Sequence, residues 1–143
     1  MGRQLITFDV AGQLFGIDIA AIREIRAWQA VTRVPGIPSY MAGMANLRGA
    51  IVPVIDLAAR LGWGESMAGP RHAIIVVETQ LRGSATPNTC GLIVETVRDL
   101  ADLGNTPLQT PPGDSSFIEG VAPAGDRLVM VLDLGAVMDP ATF

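Results

Sequence analysis

The strongest constraint on the fold is an internal repeat, because two blocks of the sequence return in the same order later in the chain. The segment Gly43–Leu57 aligns with Gly120–Leu134 at an offset of 77 residues, and the two share Gly, Ala, two Val, Asp and Leu. The segment Gly16–Ile25 aligns with Gly91–Leu100 at an offset of 75 residues. Repeated units of this kind predict two similar halves. Strand and turn segments rich in Val, Gly and Asp also resemble one another by chance, so this alternative stays open.

The length and apolar content allow a buried core but no membrane-spanning segment. The chain has 143 residues, of which 49% are hydrophobic, and a chain near this size buries about 68–70% of its unfolded surface. No apolar run approaches the roughly 18 residues that cross a bilayer, and no basic region precedes an apolar one at the N-terminus. Cys90, the one cysteine, lies in an aliphatic segment, as small core residues do. We expect a cytoplasmic protein without direct membrane insertion.

The charge is distributed unevenly along the chain. All ten basic residues are arginines: six of them accompany five acids up to Ser66, and four accompany nine acids after it. The net charge is −4, and aromatic residues make up 5% of the chain. Nucleic acids are bound by basic patches, usually with aromatic stacking, and anionic membranes attract basic segments. We therefore expect neither as a partner.

Short apolar segments between turn residues predict an all-β fold with two or three short helices. Leu5–Val10 and Phe15–Ile19 are predicted to form a hairpin, and Ile51–Ile55 another strand. Pro53 has no backbone N–H, so we expect its strand to lie at a sheet edge or a bulge.

Two small barrels within one domain fit the repeat. We place the domain at residues 1–143 and its pseudo-repeat halves at residues 3–63 and 71–139. Exchange of strands between the two barrels is compatible with this division, and the sequence alone does not decide it.

Three polar residues precede short apolar turns and are predicted helix N-caps: Ser39, Asp56 and Asp133. For Ser39 the predicted helix covers Tyr40–Ala42. An alternative for the two aspartates is a paired-carboxylate site, because a symmetric repeat can bring equivalent residues together.

Catalytic motifs are not evident, so we do not expect an enzyme, a catalytic residue, a metal or a cofactor. His72 opens an apolar strand without an acid beside it, and no nucleophile motif or metal-ligand spacing occurs. Gly43 and Gly49 bracket five residues that lack the Lys-Ser/Thr of a phosphate loop. A small hydrolase that uses Asp56, Asp133 or His72 is one remaining alternative. A barrel that binds peptides or nucleic acid by shape is another.

Several motifs together resemble the CheW family of adaptors in bacterial chemosensory arrays. They cover nearly the whole chain: Glu24-Ile25-Arg26, Pro35, Gly43, Asn46-Leu47-Arg48-Gly49, Val52–Leu57, Gly91–Val94, Val97–Leu100 and Leu128–Leu134. An Asn-Leu-Arg-Gly motif followed by a Pro-containing strand that ends in Asp-Leu is highly specific.

The resemblance implies both a fold and a function. The family fold is a pair of five-stranded, SH3-like β-barrels packed together with a few short helices. Its members lack catalytic activity and couple transmembrane chemoreceptors to the histidine kinase CheA, whose regulatory domain is a relative. The partners implied are thus the CheA regulatory domain and the cytoplasmic tip of a chemoreceptor, with a monomer that assembles into arrays at the inner face of the membrane. An adaptor of a non-motility pathway, or a peptide-binding barrel outside signalling, is the alternative.

The resemblance also implies a receptor-binding groove between the barrels. Its residues are Ile22, Glu24 and Ile25 in one half and Val97, Asp99 and Leu100 in the other. A helical tip would place its apolar face in this groove, with an acid fixing its register. The alternative is that the four aliphatic residues are plain core.

Arg48 is the charged residue that we most expect to contribute to partner binding, and two roles are open for it. It either contacts a partner or braces the groove by pairing with Glu24, where an Arg fork forms strong directed bonds. Gly49 beside it is expected to supply backbone angles closed to other residues. The resemblance implies a kinase-binding patch at Arg26, Ala27 and Gly43. The loop Leu108–Asp114, where the family closes its adaptor and kinase rings, lacks the expected large aromatic anchor.

Overall fold

The computed structural model describes residues 2–81, 83, 85–111, 113 and 115–140, and these are built mainly from β-strands. The elements in chain order are β1 (Arg3–Val10), β2 (Gln13–Asp18), a 3₁₀ helix (Ile19–Ala21), β3 (Ile22–Ala27), β4 (Met41–Leu47), β5 (Ala50–Asp56), α1 (Leu57–Arg60), β6 (Ala73–Thr79), β7 (Asn88–Val94), β8 (Thr96–Gly104), β9 (Ile118–Ala124), β10 (Arg127–Leu132) and α2 (Leu134–Met138). The prediction of an all-β fold with two small barrels and a few short helices is confirmed.

The strands form two five-stranded sheets, and each sheet takes strands from both pseudo-repeat halves of the chain, β1–β5 and β6–β10. The first sheet has the order β8-β1-β2-β10-β9, and the second has the order β3-β6-β7-β5-β4. The two orders correspond position by position: wherever the first sheet has a given strand, the second sheet has the strand that lies five strands earlier or later in the chain, as with β1 and β6 or β8 and β3. Both sheets contain one parallel pair, β2 with β10 and β5 with β7, and their other pairs are antiparallel. Strands are therefore exchanged between the two sheets.

Three clusters of buried side chains explain why the two sheets stay together. One cluster belongs to the first sheet, a second to the second sheet, and the largest contains residues of both. β6 illustrates the division, because Ile74 and Val76 enter the second-sheet cluster while Ile75 and Val77 enter the shared one. Successive side chains of a strand point to opposite faces, so β6 is apolar without alternation and buried on both sides. We call the largest cluster the shared core.

Aspartates cap both α-helices, as predicted. The side chain of Asp56 accepts a hydrogen bond from the backbone N–H of Ala59 at 3.5 Å, and that of Asp133 accepts one from Ala136 at 3.1 Å. Asp56 also accepts hydrogen bonds from the backbone N–H and the hydroxyl of Ser66, at 2.9 and 3.1 Å. These bonds give both carboxylates a structural role at helix ends.

Pro53 lies in an interior strand, so of the two predicted positions, a sheet edge or a bulge, the edge is wrong; a register shift in the pairing of β4 with β5 does lie nearby, between Met41 and Gly43. β5 lies between β4 and β7. Pro53 faces Met44 of β4, whose backbone N–H and C=O both bond to Thr32 at 2.8 Å, on the far side of β4. Pairing of β5 with β7 begins only at Val54. Neither neighbouring strand therefore requires the backbone donor that proline lacks.

The prediction of a short helix over Tyr40–Ala42 is also wrong, because β4 begins at Met41. Met41 pairs with Ile55 of β5, and the Tyr40 carbonyl accepts a hydrogen bond from the N–H of Asp56 at 2.9 Å. Bonds to a neighbouring strand thus replace the intrahelical bonds that a helical turn would have supplied.

Candidate functional site

β3 and β8 carry the predicted groove residues, and each is an edge strand. β3 pairs with β6 in the second sheet, and β8 pairs with β1 in the first. Each pairing contains a register shift. In β3 the shift lies between Ile22 and Glu24, and in β8 it lies between Val97 and Leu100, which are paired with Phe8 and Ile6 of β1. A bulge leaves residues unpaired and bends its strand. The two edges therefore occupy equivalent places and share the same irregularity.

On β3, the two aliphatic groove residues lie on the side of the shared core. Ile22 is paired with Val77 and Ile25 with Ile75, and both partners belong to the shared core. Directly paired residues of antiparallel strands project on the same face. Ile22 and Ile25 therefore share a face, even though they are three residues apart, because the bulge lies between them.

β8 presents its aliphatic residues in the same way. Val97 is paired with Phe8 of the shared core, and Leu100 is paired with Ile6, two residues away on β1. Val97 and Leu100 thus project on one face of β8. Both Ile22 and Val97 pack against the shared core, which brings one residue from each predicted wall to the same cluster.

Exposure divides these four side chains into two pairs. Ile22 and Val97 are partly buried, whereas Ile25 and Leu100 are 45% and 50% exposed. The alternative that all four are plain core therefore does not hold for Ile25 and Leu100. Each edge strand keeps one large aliphatic side chain in reach of a partner.

Glu24 and Arg26 lie on the opposite face of β3 from Ile25. They are paired with Val76 and Ile74, which belong to the second-sheet cluster. Nη1 of Arg26 donates a hydrogen bond to Oε1 of Glu24 at 2.8 Å. Glu24 thus lies at the rim of the predicted groove and not on its floor.

Asp99 lies in a corresponding position on β8. It borders a cleft of about 510 Å³ beside the β9–β10 hairpin, whose lining includes Leu14 and Leu103 of the first-sheet cluster. The carbonyl oxygen of Asp99 accepts a hydrogen bond from Oγ1 of Thr7 at 2.7 Å. Within the described part of the chain, the Asp99 carboxylate forms no ion pair. Glu24, which is paired with Arg26, and Asp99, which has no ion pair among the described residues, thus differ in their charged neighbours.

Arg48 occupies the tip of the β4–β5 hairpin. Its Nε lies 3.7 Å from Oε2 of Glu24, and its side chain is 79% exposed. Arg48 and Gly49 both have a positive φ, of 55° and 85°, between the paired residues Leu47 and Ala50. A two-residue hairpin loop with these angles is a type I′ turn. The predicted pairing of Arg48 with Glu24 exists, but it is longer than a hydrogen bond.

The three predicted kinase-binding residues have different surroundings. Arg26 is committed to Glu24, and Ala27 is exposed at the end of β3. Gly43 is buried, and a Cβ on it would overlap the carbonyl oxygen of Thr32. Gly43 can therefore influence a partner surface only through the backbone.

The predicted ring loop is only partly described. Gln109 forms an isolated bridge with Val121 on the outer edge of β9, with hydrogen bonds of 2.8 and 2.9 Å. Pro112 and Asp114 lie outside the described residues.

Two ion pairs that the sequence analysis did not find brace the bulged edges. Nη2 of Arg98 lies 2.6 Å from Oδ2 of Asp9, and Nη1 of Arg23 lies 2.8 Å from Oε2 of Glu78. Both arginines lie at the bulge of their strand. The acids also occupy matching positions: Asp9 directly follows the β1 residue that is paired with Val97, and Glu78 directly follows the β6 residue that is paired with Ile22. The repeated Arg-acid-aliphatic sequence was a usable signal, but the partner acids lie outside the aligned blocks.

Arg60 is a second residue that the sequence analysis missed. Its buried guanidinium donates to the carbonyl oxygens of Ala136, Val137 and Asp139, at 3.2, 2.8 and 2.6 Å. It also lies over the ring of Tyr40, with 4.0 Å from Cζ to the ring centroid. Arg60 thus ties α1 to the C-terminal end of α2.

His72 and Cys90 have structural surroundings. Nδ1 of His72 accepts a hydrogen bond from the backbone N–H of Gly69 at 3.2 Å. Cys90 is buried in the shared core, and burial raises the pKa of its thiol to about 12, which leaves the thiol protonated and unreactive near neutrality. Among the described residues, no group of His, Cys, Asp and Glu could hold a metal ion, and no helix is long and apolar enough to span a membrane.

Comparison with known proteins agrees with this architecture. The family model of the CheW-like domain matches residues 4–141. The chain is 36% identical over 141 residues to the chemotaxis protein CheW of Rhizobium meliloti (strain 1021), covering 95% of this chain and 87% of that protein. It is 30% identical over 143 residues to the chemotaxis protein CheW of Bacillus subtilis (strain 168), covering 96% and 88%.

A solved structure supports the same assignment. The crystal structure of the scaffolding protein TtCheW from Thermoanaerobacter tengcongensis matches with a TM-score of 0.84 and 29% identity, over 100% of this chain and 92% of that one. Fold, sequence and family model agree over nearly the whole length, and we conclude that this chain is a member of the CheW-like family.

Proposed function

We propose that this chain is a non-catalytic adaptor that couples transmembrane chemoreceptors to the histidine kinase CheA in a bacterial chemosensory array. It acts in the cytoplasm and is recruited to receptor arrays at the inner face of the membrane. Its relatives in Rhizobium meliloti and Bacillus subtilis are named chemotaxis proteins, and its structural neighbour is described as a scaffolding protein. A scaffold needs two separate binding surfaces and no catalytic group.

The observation that carries this proposal is the matched pair of bulged edge strands. β3 and β8 come from different sheets, and each presents one large aliphatic side chain, Ile25 or Leu100, that is about half exposed. Their neighbours Ile22 and Val97 pack on the same shared core. Two walls built on one rigid core are suited to holding an apolar helical surface between them.

The receptor tip is the occupant that we propose for this groove. Its apolar face would contact Ile22, Ile25, Val97 and Leu100. Asp99 at one rim carries a carboxylate without an ion-pair partner among the described residues, so it is available for a basic side chain of the receptor.

The CheA regulatory domain is the second proposed partner, and its proposed surface lies at the C-terminal end of β3. Arg26 projects away from Ile25, whereas Ala27, which is paired with Ala73, projects on the same face as Ile25 and is exposed at the end of the strand. Gly43 supports this surface by letting the backbone near Thr32 pack closely against β4. Each contact is expected to be weak alone, because assembly into an array multiplies weak binding.

The decisive experiment titrates this protein separately with a receptor cytoplasmic fragment and a CheA regulatory domain. Ile25→Ser and Leu100→Ser should each weaken receptor binding by about tenfold or more, since each removes a large apolar side chain that binding would bury. Arg26→Ala should weaken only kinase binding. The matched control is Ile51→Ser, because Ile51 is 72% exposed but lies on β5, which pairs with neither β3 nor β8.

The result that would reject the adaptor is binding to neither partner at about 1 mM, the weak end of specific affinity. Circular dichroism and thermal unfolding of each variant show whether a loss of binding comes from unfolding. Equal losses for Ile51→Ser and Ile25→Ser would reject the groove while leaving the adaptor role intact.

A further inference from the structure

The bulges of β3 and β8 occupy matching positions but differ in width. At the β3 bulge one residue, Arg23, lies outside the register, because Glu24 is paired with Val76 of β6. At the β8 bulge both Arg98 and Asp99 lie outside the register with β1. A wider bulge loses more of the ladder hydrogen bonds that hold an edge strand to its neighbour. The backbone of β8 therefore needs other hydrogen bonds at this place.

Two side chains of β1 supply such bonds. Thr7, the β1 residue opposite the bulge, donates a hydrogen bond from its hydroxyl to the carbonyl oxygen of Asp99 at 2.7 Å. Oδ2 of Asp9 lies 2.7 Å from Nε and 2.6 Å from Nη2 of Arg98. Each of the two bulge residues of β8 is thus fastened to β1 by one side chain.

Thr7 and Asp9 reach the bulge from the side of the first-sheet cluster. They alternate along β1 with Phe8 of the shared core, so they project on the opposite face of the strand. Both residues are buried, and Thr7 is only 4% exposed. Because threonine is branched at Cβ, few side-chain rotamers are open to it in this packed position. The Thr7 hydroxyl is therefore held towards β8.

The corresponding position of the other groove wall carries no hydroxyl. Val76 lies opposite the β3 bulge as Thr7 lies opposite the β8 bulge. Val76 keeps its pairing with Glu24, whereas the pairing of Thr7 with β8 is lost. A threonine thus lies where the wider bulge has lost ladder bonds, and a valine lies where the narrower bulge keeps them. This contrast indicates that the Thr7 hydroxyl replaces a ladder bond.

The bulge decides which side chain β8 presents to the groove. Leu100 directly follows the bulge, is paired with Ile6 and is 50% exposed. Neighbouring residues of a strand project on opposite faces, so a shift of the bulge by one residue would place Asp99 on the face of Leu100. The bond from Thr7 fixes the Asp99 carbonyl and opposes this exchange.

We infer that Thr7 is a positioning residue for the receptor groove, because its hydroxyl holds the β8 bulge and so keeps Leu100 on the groove face and Asp99 at the rim. This inference rests on the proposed adaptor function and deepens it by naming what fixes one groove wall. Thr7 is buried and acts through β8, without contacting the receptor itself.

The test compares Thr7→Val, which keeps the branched shape without the donor, with Thr7→Ser, which keeps the donor without the methyl group. Thr7→Val should lower the affinity for a receptor cytoplasmic fragment about fivefold, as expected for one lost hydrogen bond. Its affinity for the CheA regulatory domain should stay within about twofold of the wild type. Thr7→Ser should keep both affinities within about twofold. Thr89→Val is the matched control, since Thr89 lies on β7, which pairs with neither groove strand.

Amide hydrogen exchange gives a second readout that needs no partner. In Thr7→Val the amides of residues 98–101 should exchange about threefold faster or more, because the bulge opens more easily. The amides of β3 should keep their wild-type rates, and Thr7→Ser should keep them in both strands. Circular dichroism at the temperature of the titrations shows that each variant is folded.

Three results would overturn the inference. One is wild-type receptor affinity in Thr7→Val, and another is a loss in Thr7→Ser equal to that in Thr7→Val. The third is unchanged hydrogen exchange of β8 in Thr7→Val. Wild-type protein that binds neither partner would reject the adaptor function together with its groove, whereas these three results reject the inference alone, so the two failures are distinguishable.

Discussion

Nε of Arg60 lies 2.8 Å from the carbonyl oxygen of Val137, so a buried side chain of α1 closes the C-terminal end of α2. The last carbonyls of a helix lack intrahelical partners and need donors from elsewhere. Arg60 supplies these donors to three residues at the α2 terminus, Ala136, Val137 and Asp139. The two helices that follow β5 and β10 are thereby held by one cation.

Replacement of this cation should destabilise the whole fold. Arg60→Ala leaves three carbonyls without their donor, and we expect the free energy of unfolding to fall by about 2–4 kcal/mol. Urea unfolding followed by fluorescence measures this change. Arg60→Lys should lie between Arg60→Ala and the wild type, because one ammonium reaches fewer carbonyls than a guanidinium fork. Arg33→Ala, at an exposed arginine, is the control, and a value for Arg60→Ala within about 0.5 kcal/mol of it would contradict a structural role.

Gly43 and Gly120 are expected to be intolerant of a methyl group for the same physical reason. At Gly43 a Cβ would overlap the Thr32 carbonyl oxygen, and at Gly120 it would lie 2.6 Å from Cβ of Leu108. Thr32 and Leu108 belong to, or adjoin, linkers that return to bridge β4 and β9. Each Gly→Ala change should cost about 1–3 kcal/mol of unfolding free energy.

Gly69→Ala is the matched control for both glycines, since a methyl group added there would meet nothing within 4 Å and no positive φ constrains the residue. Thermal unfolding of the three variants gives the comparison. Equal melting temperatures for Gly43→Ala and Gly69→Ala would mean that the Thr32 linker moves aside without cost. In that case a loss of kinase binding by Gly43→Ala would need a different explanation.

The sequence predicted most of the fold because its signals were local. Asp56 and Asp133 were identified as helix caps from the apolar turns that follow them, and both cap their helices. Pro53 was wrongly predicted at an edge because proline lacks a backbone donor. This lack excludes only one hydrogen bond at one position and does not exclude the strand from a sheet interior. The bonds of Met44 to Thr32 satisfy the neighbouring strand on its other side, and this arrangement depends on the tertiary fold.

The candidate site was predicted less completely. The face on which each of its side chains lies depends on the register with which β3 and β8 pair with their neighbouring strands, and the sequence does not show this register. Ile22, Glu24 and Ile25 were predicted to line one groove, but the bulge between Ile22 and Glu24 places Ile22 on the face of Ile25 and leaves Glu24 on the other face. A one-residue irregularity of this kind reverses the faces of all following side chains, and no local pattern reveals it. Arg60 was missed because its acceptors are backbone carbonyls 76 to 79 residues away.

The two bulge ion pairs allow a matched test of burial. The Asp9 side chain beside Arg98 is 11% exposed, whereas the Glu78 side chain beside Arg23 is 28% exposed. Arg98→Ala leaves a buried carboxylate with only Arg127 near it among the described residues, at 3.3 Å, and should cost about 1–3 kcal/mol of unfolding free energy. Arg23→Ala removes a more exposed pair and should cost about 0–1 kcal/mol. Chemical denaturation of both variants measures the difference, and a larger cost for Arg23→Ala would contradict the assignment.

Cys90 should make the stability depend on pH above 9. Burial raises the pKa of its thiol to about 12, from an ordinary value of 9.0. Between these values the unfolded chain releases the proton while the folded chain keeps it, so the unfolded state binds fewer protons and stability falls as the pH rises. The full stability is present below pH 9, and the loss approaches about 1.4 kcal/mol per pH unit within the window.

Cys90→Ala isolates this contribution, because the other titrating groups are the same in both proteins. Its smaller side chain should lower the free energy of unfolding at pH 7 by about 1 kcal/mol through lost packing. From pH 9 upwards its stability should decline less steeply than that of the wild type, so the two curves converge and cross at about pH 10. Urea unfolding at pH 7, 9, 10 and 11 measures both slopes. Parallel curves over this range would show that the thiol ionises as readily in the folded protein as in the unfolded chain, and hence that water reaches it inside the shared core.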